Sequence, residues 1–156
     1  MKRIGTMVFC LVAASTAATA EPLYGASTEK LETIQIRSDE PETDALLFAT
    51  CITPDMFEVL IGNELPLGRG EHEPVSLSLA AGTLSTKVDG VSVKSPDYEM
   101  TGNAMLLTTL EPKGRAWRIL TSGQPIEMRP KGSEPATVPL GKAETDALKA
   151  FARKCS

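Results

Sequence analysis

Cys51 closes the apolar run Leu46-Leu47-Phe48-Ala49-Thr50-Cys51, and Cys155 closes the run Leu148 to Cys155 near the chain's end. Two cysteines far apart in an exported domain most often pair, and here the pairing would tie an early strand to a C-terminal helix. A metal site is the alternative, but two thiols and a single histidine fall short of four ligands. Separate free thiols are disfavoured in an oxidising compartment. Closing a loop of about 105 residues stabilises a fold by about 4–5 kcal/mol in the chain-entropy model. Net stabilities are about 5–15 kcal/mol, so the crosslink is a large share of the total.

The compartment follows from the N-terminus. Lys2 and Arg3 form a short positive region, Ile4 to Ala14 is apolar apart from Gly5 and Thr6, and small residues lead to Ala18-Thr19-Ala20 before Glu21-Pro22. This is the pattern of a secretory signal peptide over residues 1–20, cleaved after Ala20. The apolar run falls short of the roughly 20 residues of a membrane-spanning helix. Cys10 lies inside it and leaves with it, since Val8-Phe9 lacks the small residues of a lipoprotein site. The expected location is periplasmic or secreted, with no membrane span after signal removal.

The mature chain is then a flexible lead-in over 21–30 and a single β-rich domain over 31–156. Its formal charge becomes more negative than the full chain's −4, because Lys2 and Arg3 are lost. The acids gather between Glu21 and Glu73, while Arg115, Arg118, Arg129, Lys131, Arg153 and Lys154 make the C-terminal part mildly basic. There is no basic stripe, and few aromatic residues are available to stack on bases, so no nucleic acid is expected as a partner.

Alternation predicts strands over most of the domain. Leu31 to Arg37 places Ile34 and Ile36 on one face. Ser38 to Asp44 reads as a solvated loop. Ala45 to Thr53 is apolar on both faces, as in a strand covered on both sides, and Met56 to Ile61 is its hairpin partner across Pro54-Asp55. Gly62 to Pro74 reads as the longest polar loop and a candidate functional surface, or as a tolerated insertion. Short strands follow at Val75 to Leu79, Leu84 to Val88, Val91 to Val93, Tyr98 to Met100 and Met105 to Leu110. Ala81-Gly82 and Asp89-Gly90 separate the first three of these runs, and Asp89-Gly90 has the composition of a two-residue hairpin turn. Ile126 to Arg129 and Thr137 to Leu140 complete the set. Many short strands at even spacing predict a mainly β fold, a small sandwich or partly open barrel.

Two helices interrupt this pattern. Trp117 and Leu120 sit three apart between Arg115 and Thr121, with Gly123 beyond, which predicts a short helix near 115–121. Leu148, Phe151, Ala152 and Cys155 fall on one helical face. Glu144 and Asp146 lie near that helix's start and Arg153 and Lys154 near its end, in the sense the helix dipole favours. Cys155 therefore belongs to the buried stripe, and the helix is expected to pack on the Leu47/Ala49/Cys51 side of the sheet.

The stretches Trp117 to Met128 and Thr137 to Cys155, with Cys51 upstream, carry a family likeness. The order of an exported chain, an early strand ending in Cys, W-R-I-L-x-S-G-x-P-I-E-M and a helix running into a final Cys resembles small periplasmic proteins of Gram-negative bacteria. These include the invasion-associated locus B type and certain type VI secretion-associated proteins. The likeness covers about a third of the mature chain, and Gly141-Lys142 stands where the family opens its last helix with glycine and an aromatic residue. It implies an envelope role without catalysis.

Direct tests for chemistry agree in direction. His72, in Glu71-His72-Glu73, is the single histidine and lacks partners for a metal site or a G-x-S-x-G nucleophile elbow. Ser27-Thr28-Glu29-Lys30 matches S-x-x-K without the other motifs of that group, and Gly141-Lys142-Ala143 lacks the glycine and hydroxyl of a phosphate loop. No catalytic residues, metal or cofactor are assigned. The disulfide is Cys51–Cys155, and the candidate interaction surface is Arg69, Glu71, His72, Glu73, Arg115, Trp117 and Arg118. Trp117 reads more often as a core anchor, for its apolar area. The expected function is a non-catalytic envelope binding or accessory protein acting on another envelope or secreted protein. The alternatives are an inhibitor of a lysozyme or protease working through Gly62 to Pro74, and an enzyme without a recognisable motif.

Overall fold

The computed structural model describes residues 32–37, 45–62 and 65–155. The expected leader at 1–20, the lead-in at 21–30 and the loop at 38–44 lie outside the described residues. The elements in chain order are β1 (Thr33–Arg37), β2 (Ala45–Thr53), β3 (Met56–Ile61), β4 (Glu71–Ala81), β5 (Leu84–Lys94), α1 (Tyr98–Thr101), β6 (Ala104–Leu110), α2 (Arg115–Leu120), β7 (Ile126–Pro130), β8 (Ala136–Val138) and α3 (Lys142–Cys155).

The eight strands among the described residues form one antiparallel sheet in the order β1-β2-β3-β6-β5-β4-β7-β8. It curls into a half-barrel, with α3 packed on the sheet, so the fold is mainly β and takes the open-barrel form. The inward positions follow the period of two that strand geometry imposes. Phe57, Val59 and Ile61 of β3, Leu77 and Leu79 of β4 and Ile126 and Met128 of β7 are fully buried. Helix α2 adds Ala116, Trp117, Ile119 and Leu120 to this core, and α3 adds Leu148, Phe151 and Cys155. The crosslink is formed as expected between Cys51 and Cys155, with Cα atoms 5.8 Å apart. Beside it, Trp117 meets Phe57 edge-on at 4.6 Å between ring centroids, and Phe151 lies 5.0 Å from Phe57.

Several local expectations are corrected. Asp89-Gly90 is no turn. It lies inside β5, while the β4–β5 hairpin turns at Gly82, within the expected break between Leu79 and Leu84, with a φ of +56° that suits a residue without Cβ. Gly90 is required there for space, because a Cβ would fall on the Leu107 carbonyl oxygen. Tyr98 to Met100 is no strand either. It forms the single turn α1, which ends at Gly102 in the left-handed conformation. The full-length cover expected over β2 holds only for its first half. Ala45 to Leu47 are buried, while Ile52 is 47 % exposed.

Candidate functional site

The first expected surface cluster, residues 69–73, is only partly loop. Leu65 and Leu67 are buried in the core, so the approach is anchored rather than solvated, and β4 already begins at Glu71. Glu71 pairs with Val93 and Pro74 with Val91, which leaves two residues of β4 opposite one of β5, a β-bulge. His72 occupies that bulge with φ +62°, a conformation in which histidine is one of the less disfavoured side chains, and it is exposed.

Glu73 organises this corner. Its carboxylate accepts the backbone N–H groups of Arg69 and Glu71, and Gly70 N–H donates to Oγ of the buried Ser92 at 2.9 Å. The Arg69 N–H contributes most to holding the Glu73 carboxyl below the usual glutamate range, followed by further backbone donors and the Arg69 charge. A carboxylate engaged in this way braces the loop and is poorly placed to exchange protons. Arg69 itself is 79 % exposed, and its guanidinium meets Glu71 at 3.0 Å, a solvent-screened pair of little energetic weight.

The second expected cluster divides between surface and core. Trp117 is 3 % exposed, held by Phe57 and Phe151, and is therefore removed from the interaction surface. Its apolar area makes that the favourable place for it. Arg115 and Arg118 remain exposed on α2. The two clusters are not brought together. Arg115 reaches the Ser85 carbonyl near one end of β5, while Gly70 is tied to Ser92 near the other. That separation is about 23 Å of strand.

Two surface features lay beyond sequence reasoning. At the β2–β3 hairpin, Ile52 is 47 % and Met56 41 % exposed. Pro54, Asp55, Met56, Glu111, Pro112 and Lys113 line a shallow cleft of about 530 Å³ there. The hairpin is held from beneath by the disulfide, and both sulfurs approach the Thr53 carbonyl. Only alternation that fails at the end of β2 hinted at it.

The other feature is a seam. β5 and β6 pair only from Val91 to Lys94 against Leu107 to Ala104. Past Val91 they part around a cleft of about 310 Å³, lined among others by Lys87, Asp89, Thr109, Glu111 and Arg115. Nothing in the side-chain pattern announces it, because both strands continue to alternate.

Among the described residues, no three His, Cys, Asp or Glu side chains group closely enough to hold a metal ion. None of the described helices is long and apolar enough to cross a membrane. No family model, curated protein or solved structure matches the chain.

Proposed function

We propose that this is a non-catalytic protein of the bacterial envelope that binds another envelope or secreted protein through its surface. The observation that carries the reading is the exposed apolar end of the β2–β3 hairpin. Ile52 on β2 and Met56 on β3 are exposed, Met56 beside Pro54 and Pro112, on a hairpin that the Cys51–Cys155 bridge ties to α3. Exposed apolar side chains that gather on a well-held element favour protein contact. The signal-like N-terminus and the paired cysteines support an exported location, and the resemblance to small periplasmic proteins supports the same compartment. The test is affinity recovery from envelope extract with the wild-type chain and with an Ile52→Glu/Met56→Glu variant in parallel. The reading requires a partner held by the former and lost by the latter; equal recovery by both removes it.

A second reading, inhibition of a protease, is favoured by one observation. Arg69 projects from a braced loop, with its own N–H tied to Glu73 and Gly68 and Gly70 on either side. A fixed, exposed arginine suits the pocket of a protease that cleaves after basic residues. Unreduced trypsin activity at a large molar excess of this protein eliminates it.

A further inference from the structure

Burial divides the sulfur chemistry of this chain. Cys51 and Cys155 are joined to each other, so neither offers a thiol. The described methionines are Met56, Met100, Met105 and Met128. Met105 packs over Gly62, and Met128 pairs with Leu79 on an inner strand; both are fully buried. Met56 is 41 % exposed and Met100 is 81 % exposed.

The period of β3 fixes which way Met56 points. As the first residue of that strand it turns outward, and Phe57 after it turns into the core. Met56 stands beside Pro54 and Pro112, and its register partner Thr53 follows the exposed Ile52. Met100 lies elsewhere. It belongs to α1, which leads into β6 at Ala104, whereas Met56 lies past the opposite end of β6, where Leu110 pairs with Phe57. That strand spans about 20 Å. The two open thioethers therefore sit on separate surfaces, and only Met56 belongs to the apolar end of the β2–β3 hairpin.

We propose that Met56 is an oxidation site, and that its sulfoxide closes the hairpin end as a docking surface. The oxidant is a peroxide. The thioether sulfur attacks one peroxide oxygen, the O–O bond breaks as an S–O bond forms, and the other oxygen leaves as water. Sulfur gives up the two electrons that the peroxide gains. A dithiol-dependent methionine sulfoxide reductase restores the thioether, with the sulfoxide oxygen leaving as water and the dithiol becoming a disulfide. The sulfoxide oxygen is a strong acceptor where the thioether was apolar, and a partner that covered it would have to strip its water. Oxidation at Met56 stands on its exposure alone, while the loss of docking rests on the reading of the hairpin end as the binding surface.

The full chain is treated with hydrogen peroxide and followed by peptide mass mapping. Met100 and Met56 are expected to gain one oxygen each before Met105 and Met128, which react only when the fold opens and at least about tenfold more slowly. A Met56 that gains oxygen no sooner than Met128 overturns the site. Met100→Leu then leaves Met56 as the one open thioether among the described residues. Hydrophobic-interaction chromatography of that folded chain reads the hairpin surface without any partner. Earlier elution after peroxide is expected, and no such movement when Met56→Leu is added. Unmoved retention with Met56 fully oxidised overturns the loss of apolar surface. Partner recovery from envelope extract by the oxidised Met100→Leu chain is expected to fall about tenfold. Recovery that survives oxidation yet is lost with Ile52→Glu/Met56→Glu overturns the loss of docking and leaves the proposed function standing. If the unoxidised chain recovers no partner, the proposed function falls, and the oxygen map and the retention shift still decide the site.

Discussion

Phe57 and Phe151 meet at 5.0 Å between ring centroids, and Cys51, the register partner of Phe57, is covalently joined to Cys155, one helical turn beyond Phe151. The same strand pair and the same helix face are thus tied twice, once by a bond and once by apolar packing. The bond restrains the unfolded chain, whereas the ring contact acts in the folded one.

Cys51→Ser is therefore expected to destabilise the domain by about 4–5 kcal/mol at most, the loop-closure value for the 104-residue separation. Thermal melting in the presence and absence of reductant measures it. A curve that reductant does not move contradicts the crosslink's role.

Trp117→Ala removes the largest ring of the aromatic cluster and is expected to cost about 3–5 kcal/mol, the range for deleting a large core side chain. Trp117→Phe keeps contact with Phe57 and is expected to cost less. Chemical denaturation of the two variants gives the comparison, and equal losses would mean that the ring contacts carry no weight.

Gly90→Ala is a packing test of a different kind. The added methyl would fall on the backbone carbonyl of Leu107, which cannot rotate away as a side chain can. The β5–β6 pairing at Val91 and Leu107 must shift, so amide exchange at these two residues is expected to quicken. Exchange unchanged from wild type would show that the strands have room to spare.

Glu73 sets a pH dependence. Backbone N–H groups, that of Arg69 foremost, hold its folded-state pKa below the ordinary glutamate value. A lowered carboxyl pKa contributes stability that is present above the unfolded-state pKa and is lost as pH falls through the folded-state value. The protection factors of the Arg69 and Glu71 amides, with the intrinsic pH dependence of exchange divided out, are thus expected to fall over that acidic interval. Glu73→Gln, which places an amide where two N–H groups converge, is expected to flatten the profile. A loop equally protected at neutral and strongly acidic pH would refute the bracing role.

Burial pattern accounts for what was legible in the sequence. β3, β7 and α3 were readable because each has a steady inward period and β2 because of its continuous apolar run, and the Cys155 stripe correctly placed α3 on the Cys51 side. The errors sit where a glycine or a short polar run has two physical meanings. Asp89-Gly90 has the composition of a turn, yet Gly90 is there so that β6 can approach closely. Tyr98 to Met100 has strand-like residues, but Asp97 O, accepting from the N–H groups of Met100 and Thr101, turns the chain into α1 instead. Trp117 between two arginines was open to either role until its neighbours were known. The seam was illegible for a deeper reason, since it consists of backbone groups, which every residue carries alike.

The strand order has a consequence for how the molecule assembles. β1-β2-β3 and β4-β5-β6 are local meanders and β7-β8 is a hairpin, whereas β3–β6 and β4–β7 join segments distant in sequence. Local pairing closes short loops and forms early, while the distant joints must wait for it. Cys51 belongs to the first meander and Cys155 to the last helix, so their sulfurs meet only once that helix has docked back on the first meander. Oxidation then records that docking, and a chain in which the two have not met would still carry two thiols, open to an oxidoreductase and to mispairing with other chains.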